Sequence, residues 1–490
     1  MKWEIVLKVL GVLLTSIGFS MSFSFLWSIY FSDGQTRVWL ISMLITMLVG
    51  FSLYLSGKYL SEKKNLSLDN VGEKESYFVV SFGWIIVSLF SSLPFYFSGE
   101  FGGFINSFFE TVSGYTTTGA SILTSIEDKS PSLLFWRSFT HFLGGMGIVV
   151  LAVAILPYLG IGGSQLFKQE VPGISVEKLT PRVQDTAKVL WFIYIGFTII
   201  ETILYKLAGM SLFDALNHSF ATMATGGFST KNASIAGFHS PIIEYITIVF
   251  MYLAGVNFTL HYFFLRTKKI SSYFSSTEFK VYNLIIILSI IFVMLSIRES
   301  ISISSWEDNF RLASFQVISI LTTTGFATYD YLKWPVSVHV LLVILMFVGG
   351  MGGSTGGGMK VSRIIILLKQ VKKEFARLLE PKKVHFIYFE NKVIQMEIVI
   401  KVLTFAVIYF ILLFAGTFII ALLGEDFTTA FGASIACLSN IGPGIGKVGP
   451  VYNYNFIHPI GKLVLAFLMI AGRLEIFTFL MLFNYRYWKN

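Results

Sequence analysis

Apolar positions in this chain fall in long continuous runs, not in the alternation of a half-buried strand or the one-sided stripe of a soluble helix. Runs near 4–31, 38–57, 76–97, 132–156, 186–208, 241–265, 279–297, 336–368, 394–423 and 458–484 are each long enough for a bilayer-crossing helix. They predict an all-α polytopic membrane protein of ten spans. Four shorter segments, 104–121, 212–230, 308–328 and 426–446, mix Thr, Ser and Gly into the apolar pattern. At a rise of about 1.5 Å per residue each covers roughly half a crossing.

Composition supports the class and excludes a soluble domain. The chain is 54% hydrophobic and 13% charged, against about 25% charge in soluble domains. The single cysteine, Cys437, rules out an internal disulfide framework. The N-terminal apolar run exceeds a signal-peptide core and lacks a small-x-small cleavage site, so it reads as a retained first span. The net charge of +9 becomes informative once it is placed by side. With the N-terminus inside, loops 58–75, 157–188, 266–280 and 360–392 hold 21 Lys and Arg, and the opposite loops hold 7. Both termini are then cytoplasmic, and the four short segments all enter from outside.

Those segments resemble one another: TVSGYTTTG ends at Gly119, HSFATMATG at Gly226, VISILTTTG at Gly325 and IACLSNIG at Gly442. Their separations of 107, 99 and 117 residues each enclose span, half-span, span, a repeat signal. The division is an N-terminal pair in 1–70, then units 71–160, 161–270, 271–385 and 386–490. Asn106, Asp214, Asp308 and Asp426 are the predicted N-caps of four re-entrant half-helices. Irregular backbone at that depth survives only within protein or beside water, which a pseudo-fourfold arrangement around a wet axis would provide. Four helix C-termini would point partial negative charge at the centre. Beyond them Thr118-Gly119, Thr225-Gly226, Thr324-Gly325 and Ile441-Gly442 would aim carbonyls inward, and such a ring can replace a cation's water shell.

These residues are identified with a family, the Trk/Ktr/HKT superfamily, in its bacterial TrkH-type branch with two extra N-terminal spans. TTTGA (116–120), ATGGFST (224–230), TTTGFAT (322–328) and NIGPG (440–444) fit it in order. So do THFLGGMGIVVLAVAILP (140–157), GGSTGGGMK (352–360) and AGRLEIFT (471–478). The resemblance implies potassium uptake across the bacterial inner membrane, with rubidium a companion ion. It implies a K⁺ filter of backbone carbonyls at Thr117, Thr118, Gly119, Thr225, Gly226, Thr323, Thr324, Gly325, Asn440, Ile441 and Gly442. It also implies a homodimer and a cytosolic TrkA-type ring that binds NAD(H), ATP or ADP. No cofactor and no nucleic acid is expected on this chain. The fourth segment departs most, with Ser439-Asn440-Ile441 in place of three threonines.

Seven of the ten residues 349–358 are glycine, and at about 1 kcal/mol each against alanine a helix there would lose roughly 7 kcal/mol. The span should break there, after Val348. By resemblance Gly349, Gly350, Gly352, Gly353, Ser354, Thr355, Gly356, Gly357 and Gly358 form an intramembrane gate; a bend without gating duty is the alternative. Arg473, a cation within the last span, would by the same resemblance sit beneath the filter and raise the barrier to cations; a structural salt bridge or a carbonyl clamp is the alternative. Glu475, two residues on, would not share its helix face. His141, His218 and His261 read as hydrogen-bonded core residues, and Gly144-Gly145-Met146-Gly147 as close helix packing with little direct function. The alternative mechanism is an ion-coupled (H⁺ or Na⁺) symporter on the same scaffold, with Glu110 as its titrating group. An enzyme is not expected: no HExxH or GxSxG occurs.

Overall fold

In the computed structural model residues 1–63, 72–147, 183–300, 305–390 and 392–489 are described. Among them six helices are long and apolar enough to cross a membrane: Trp3–Phe31, Thr36–Lys63, Lys74–Ser98 (with a turn at Ser92), Asp185–Leu207, Thr277–Arg298 and Met396–Leu422. They match the predicted spans 4–31, 38–57, 76–97, 186–208, 279–297 and 394–423. The last four of these helices each lie at the start of one of the four predicted units.

The second predicted span of every unit is interrupted, where the sequence marks a break only at 349–358. Pro131–Gly145 ends in a turn at Met146, and the remainder of 132–156 lies outside the described residues. The run 241–265 splits into Pro241–Gly255 and Phe258–Thr267 at 98°, and 458–484 into Pro459–Arg473 and Phe477–Phe483 at 117°. The run 336–368 gives Val336–Val348, the glycine segment and Val361–Leu379. The two unforeseen bends have local causes. Val256 is extended, and the Asn257 side chain accepts from Thr259 N–H to start the next helix. Glu475 and Ile476 both take positive φ, 55° and 60°. An antiparallel hairpin, Tyr388–Phe389 with Lys392–Val393, adds two short strands to an otherwise helical fold.

The four short helices are Phe104–Tyr115, Leu212–Met223, Trp306–Leu321 and Phe427–Leu438. Of the predicted N-caps only Asp426 holds, accepting from Thr429 N–H. Gly103 precedes the first helix, which places Asn106 inside it, where its Oδ1 accepts from Lys462 Nζ at 2.8 Å. Ser211 and Ser305 cap the second and third. Asp214 and Asp308 stand three residues further on, where a carboxylate still suits the helix N-terminus. Ser211 Oγ accepts from Asp214 N–H and donates to the Asp214 carboxylate, which fixes the cap's rotamer.

Helices Trp3–Phe31 and Thr36–Lys63 pack through glycines. In lipid, apolar surface alone does not drive helix pairing, so close backbone approach must. A Cβ added to Gly50 would lie 2.7 Å from the Thr15 backbone nitrogen, and one on Gly57 2.7 Å from the Glu4 carbonyl. Trp39 Nε1 donates to Ser132 Oγ at 2.8 Å and ties this pair to the first unit. Gly50→Val is expected to destabilise the protein by about 1–3 kcal/mol through overpacking, read as a lower Tm in detergent. Leu48→Val, on an exposed face of the same helix, should leave the Tm unchanged.

Candidate functional site

The four short helices end alike. The chain turns left-handed at Thr117, Thr225, Thr323 and Asn440, with φ of 53°, 55°, 62° and 56°. Each of these N–H groups bonds three residues back, to Gly114, Thr222, Ile320 and Cys437. The following N–H groups reach five back, to Ser113, Ala221, Ser319 and Ala436. This is the Schellman arrangement four times over. β-Branched threonine is strained at positive φ, and such strain is held only where surrounding structure over-determines it.

Two residues later φ is positive again, at Gly119 (78°), Gly227 (76°), Gly325 (80°) and Gly442 (93°). The equivalent glycine of the second segment is therefore Gly227, one residue beyond the predicted Gly226, which stands where the first segment has Thr118. ATGG offers two glycines, and a linear comparison cannot choose between them; the αL turn at Thr225 can.

The four glycines meet in a closed order. A Cβ on Gly119 would strike the Gly226 carbonyl, one on Gly227 the Thr324 carbonyl, and one on Gly325 the Ile441 carbonyl. One on Gly442 would lie 2.6 Å from the Thr118 carbonyl. Each unit thus presses its glycine on the preceding residue's carbonyl in the next unit, and the fourth returns to the first. Among the described residues no donor reaches the carbonyls of Thr118, Thr324 or Ile441, although all three residues are fully buried. A cavity of about 140 Å³ is lined by all four glycines.

Side chains brace the ring from behind. In the divergent fourth segment Asn440 Nδ2 donates to Thr118 Oγ1 at 3.0 Å and to the Met469 carbonyl at 2.9 Å. Thr116 and Thr118 share a hydroxyl bond of 2.8 Å, as do Thr322 and Thr324. Tyr454 Oη donates to the Gly442 carbonyl at 2.6 Å. Glu110 is buried and held: it pairs with Arg137 Nε at 2.6 Å and accepts from Ser121 Oγ and Ile122 N–H. Arg137 also donates to the Ser229 carbonyl and lies 3.6 Å over the Phe228 ring. The sequence reading missed Arg137, although an arginine in a span is as costly as Arg473. It also passed over Glu201, another fully buried span carboxyl.

The glycine segment lies directly beneath. Thr355 Oγ1 donates to the Met223 carbonyl at the end of the second short helix. Gly357 N–H donates to Thr323 Oγ1 at 2.7 Å, and a Cβ on Gly357 would strike the Ser439 carbonyl. Residues 355–357 therefore touch the ends of three of the four short helices. Arg473 is a carbonyl clamp: it donates to Thr355 and to Gly144 and Gly145, each at 2.6 Å. Gly144 and Gly145 do pack closely, against Tyr115 and Ala224, and their carbonyls are acceptors as well. Glu475 pairs instead with Arg363, as the two-residue offset from Arg473 anticipates. The three histidines are hydrogen-bonded through both ring nitrogens: His141 to the Gly114 carbonyl and Phe228 N–H, His218 to the Asp214 carbonyl and Ser229, His261 to Tyr273 and the Leu253 carbonyl.

A family model described as TrkH, cation transport protein, matches residues 42–489. The chain is 36% identical to the Trk system potassium uptake protein TrkH of Escherichia coli strain K12, covering 100% of both. It is 37% identical, again over 100% of both, to the protein of that name from Halomonas elongata. The crystal structure of the potassium transporter TrkH from Vibrio parahaemolyticus matches with a TM-score of 0.87 at 34% identity, covering 100% of each chain. A chain so matched from end to end, in sequence and in fold, belongs to the TrkH family of cation transport proteins.

Proposed function

We propose that this chain takes up potassium through the ring formed at Thr117–Gly119, Thr225–Gly227, Thr323–Gly325 and Asn440–Gly442. The observation that carries the reading is the closed order in which four glycines face four carbonyls. Its relatives of similar length are named potassium uptake proteins. Carbonyls that lack protein donors at that depth must be met by water or a cation, and a dehydrated monovalent ion suits them. Glycine is required because a side chain there would fill the next unit's carbonyl position.

Residues 349–358, with Arg473, are the gate beneath the ring. The segment touches three short-helix ends through its backbone and Thr355, so its displacement would clear the exit. Trk system naming in the relatives supports a multi-component assembly: a homodimer with a cytosolic TrkA-type ring binding NAD(H), ATP or ADP. The protein then lies in the bacterial inner membrane with both termini cytoplasmic, and its four units follow the 71–160, 161–270, 271–385 and 386–490 division. Glu110 is engaged by Arg137 and two further donors, which favours a channel-like mechanism over coupling through that carboxyl.

Two measurements on protein reconstituted in liposomes test this. Gly119→Ser should lower the preference for potassium over sodium flux by about tenfold, or about 1.4 kcal/mol; an unchanged ratio would reject the ring. Replacing residues 350–356 by a shorter linker should raise rubidium flux in the absence of the cytosolic partner. Flux equal to the parent protein's would reject the gate.

A further inference from the structure

We propose that Glu278 and Glu390 are positioning residues that form a two-carboxylate linkage, through which the cytoplasmic hairpin of Tyr388–Phe389 and Lys392–Val393 sets the position of the glycine segment. This rests on the reading of 349–358 as the gate. The glycine segment has almost no side chains with which to hold itself, so its place is fixed by what its backbone meets. Glu278, buried at the start of the third unit's first span, supplies one such partner. Its Oε1 accepts from Gly352 N–H at 2.8 Å and from Ser362 N–H at 2.9 Å. One oxygen thereby joins a residue within the segment to the first turn of the helix that follows it.

The turn that carries Glu278 is itself held from a distance. Its helix begins at Thr277, and free N–H groups at a helix start need acceptors. Glu390, more than a hundred residues away in sequence, provides them. It accepts from Ser276 Oγ at 2.8 Å, Thr277 N–H at 3.1 Å and Glu278 N–H at 3.2 Å. Glu390 occupies the corner of the hairpin with φ of 48°, between Tyr388–Phe389 and Lys392–Val393.

The hairpin is tied to the helix that follows the glycine segment. Lys369 Nζ, on the helix after the glycine segment, donates to the Tyr388 carbonyl at 2.6 Å. Ile387 packs with Ile366, Val399 and Val402 in a small core separate from the main one. A shift of the hairpin withdraws the Glu390 cap, moves the turn bearing Glu278, and takes the shared acceptor from Gly352 and Ser362 together. The inner side of the molecule thus reaches the gate through two carboxylates in series.

Partner-free rubidium flux of the full chain in liposomes tests the linkage with Glu278→Ala, Glu390→Ala, the double variant and the shortened 350–356 linker side by side. Each single variant should raise flux roughly fivefold or more, the lower end of typical coupling between sites. The double variant should rise no further than the larger single, because both act on one path. Flux in the double variant equal to the product of the two effects would overturn the linkage. So would parental flux in Glu390→Ala that elutes as monodisperse protein; that variant alone decides if Glu278→Ala does not fold. A raised flux with the shortened linker, but not with the glutamate variants, defeats the linkage and leaves the gate standing. Parental flux in all four defeats the gate reading and the linkage with it.

Discussion

A peptide group cut loose from its helix inside a bilayer has no solvent to turn to. This molecule cuts its helices open repeatedly, and the cut ends meet one another. The short helices end in turns whose carbonyls face the neighbouring unit's glycine. The second spans break where Gly144, Gly145, Thr355 and Gly357 can meet Arg473 or the ends of those helices. No break is self-sufficient.

Strain and support are matched in the same way. Three threonines and an asparagine sit left-handed at equivalent corners, a conformation each would resist in isolation. Two hydrogen bonds close every turn, and further bonds from Asn440, Tyr454 and the Thr116–Thr118 and Thr322–Thr324 pairs restrain the chain beyond it. An ionic pair, Glu110 with Arg137, backs the first corner where a water-filled space would let it relax. Rigid corners of this kind would hold their spacing as an ion arrives, which a carbonyl cage needs if it is to distinguish ions by size or field strength.

Much of this was legible in the sequence, and the misses have a common origin. Long apolar runs gave the six long helices, and the fourfold Thr/Gly/Asn signature gave the ring segments. The glycine density at 349–358 gave that interruption, because several weak helix breakers add up. The other bends were hidden because they depend on single residues: Asn257 acting as a cap inside an apolar run, and Glu475 with Ile476 in a conformation that no composition announces. The Gly226/Gly227 register and the expected Asp214 and Asp308 caps failed for a similar reason, since candidates one to three residues apart differ only in where the backbone turns. Arg137 and Glu278 went unnoticed because their partners lie far away in sequence, and partnership at that range is a property of the folded chain alone.

The ring's corners are four unlike pieces of one polypeptide, with Asn440 and Ile441 where the first and third pieces have threonine. In an assembly of identical subunits, one codon change alters every quarter of the ring at once, and a mildly harmful replacement is multiplied by four. Here each quarter has its own codons. Mutation can therefore adjust the ring in steps a quarter as large and keep three quarters intact while the last one varies.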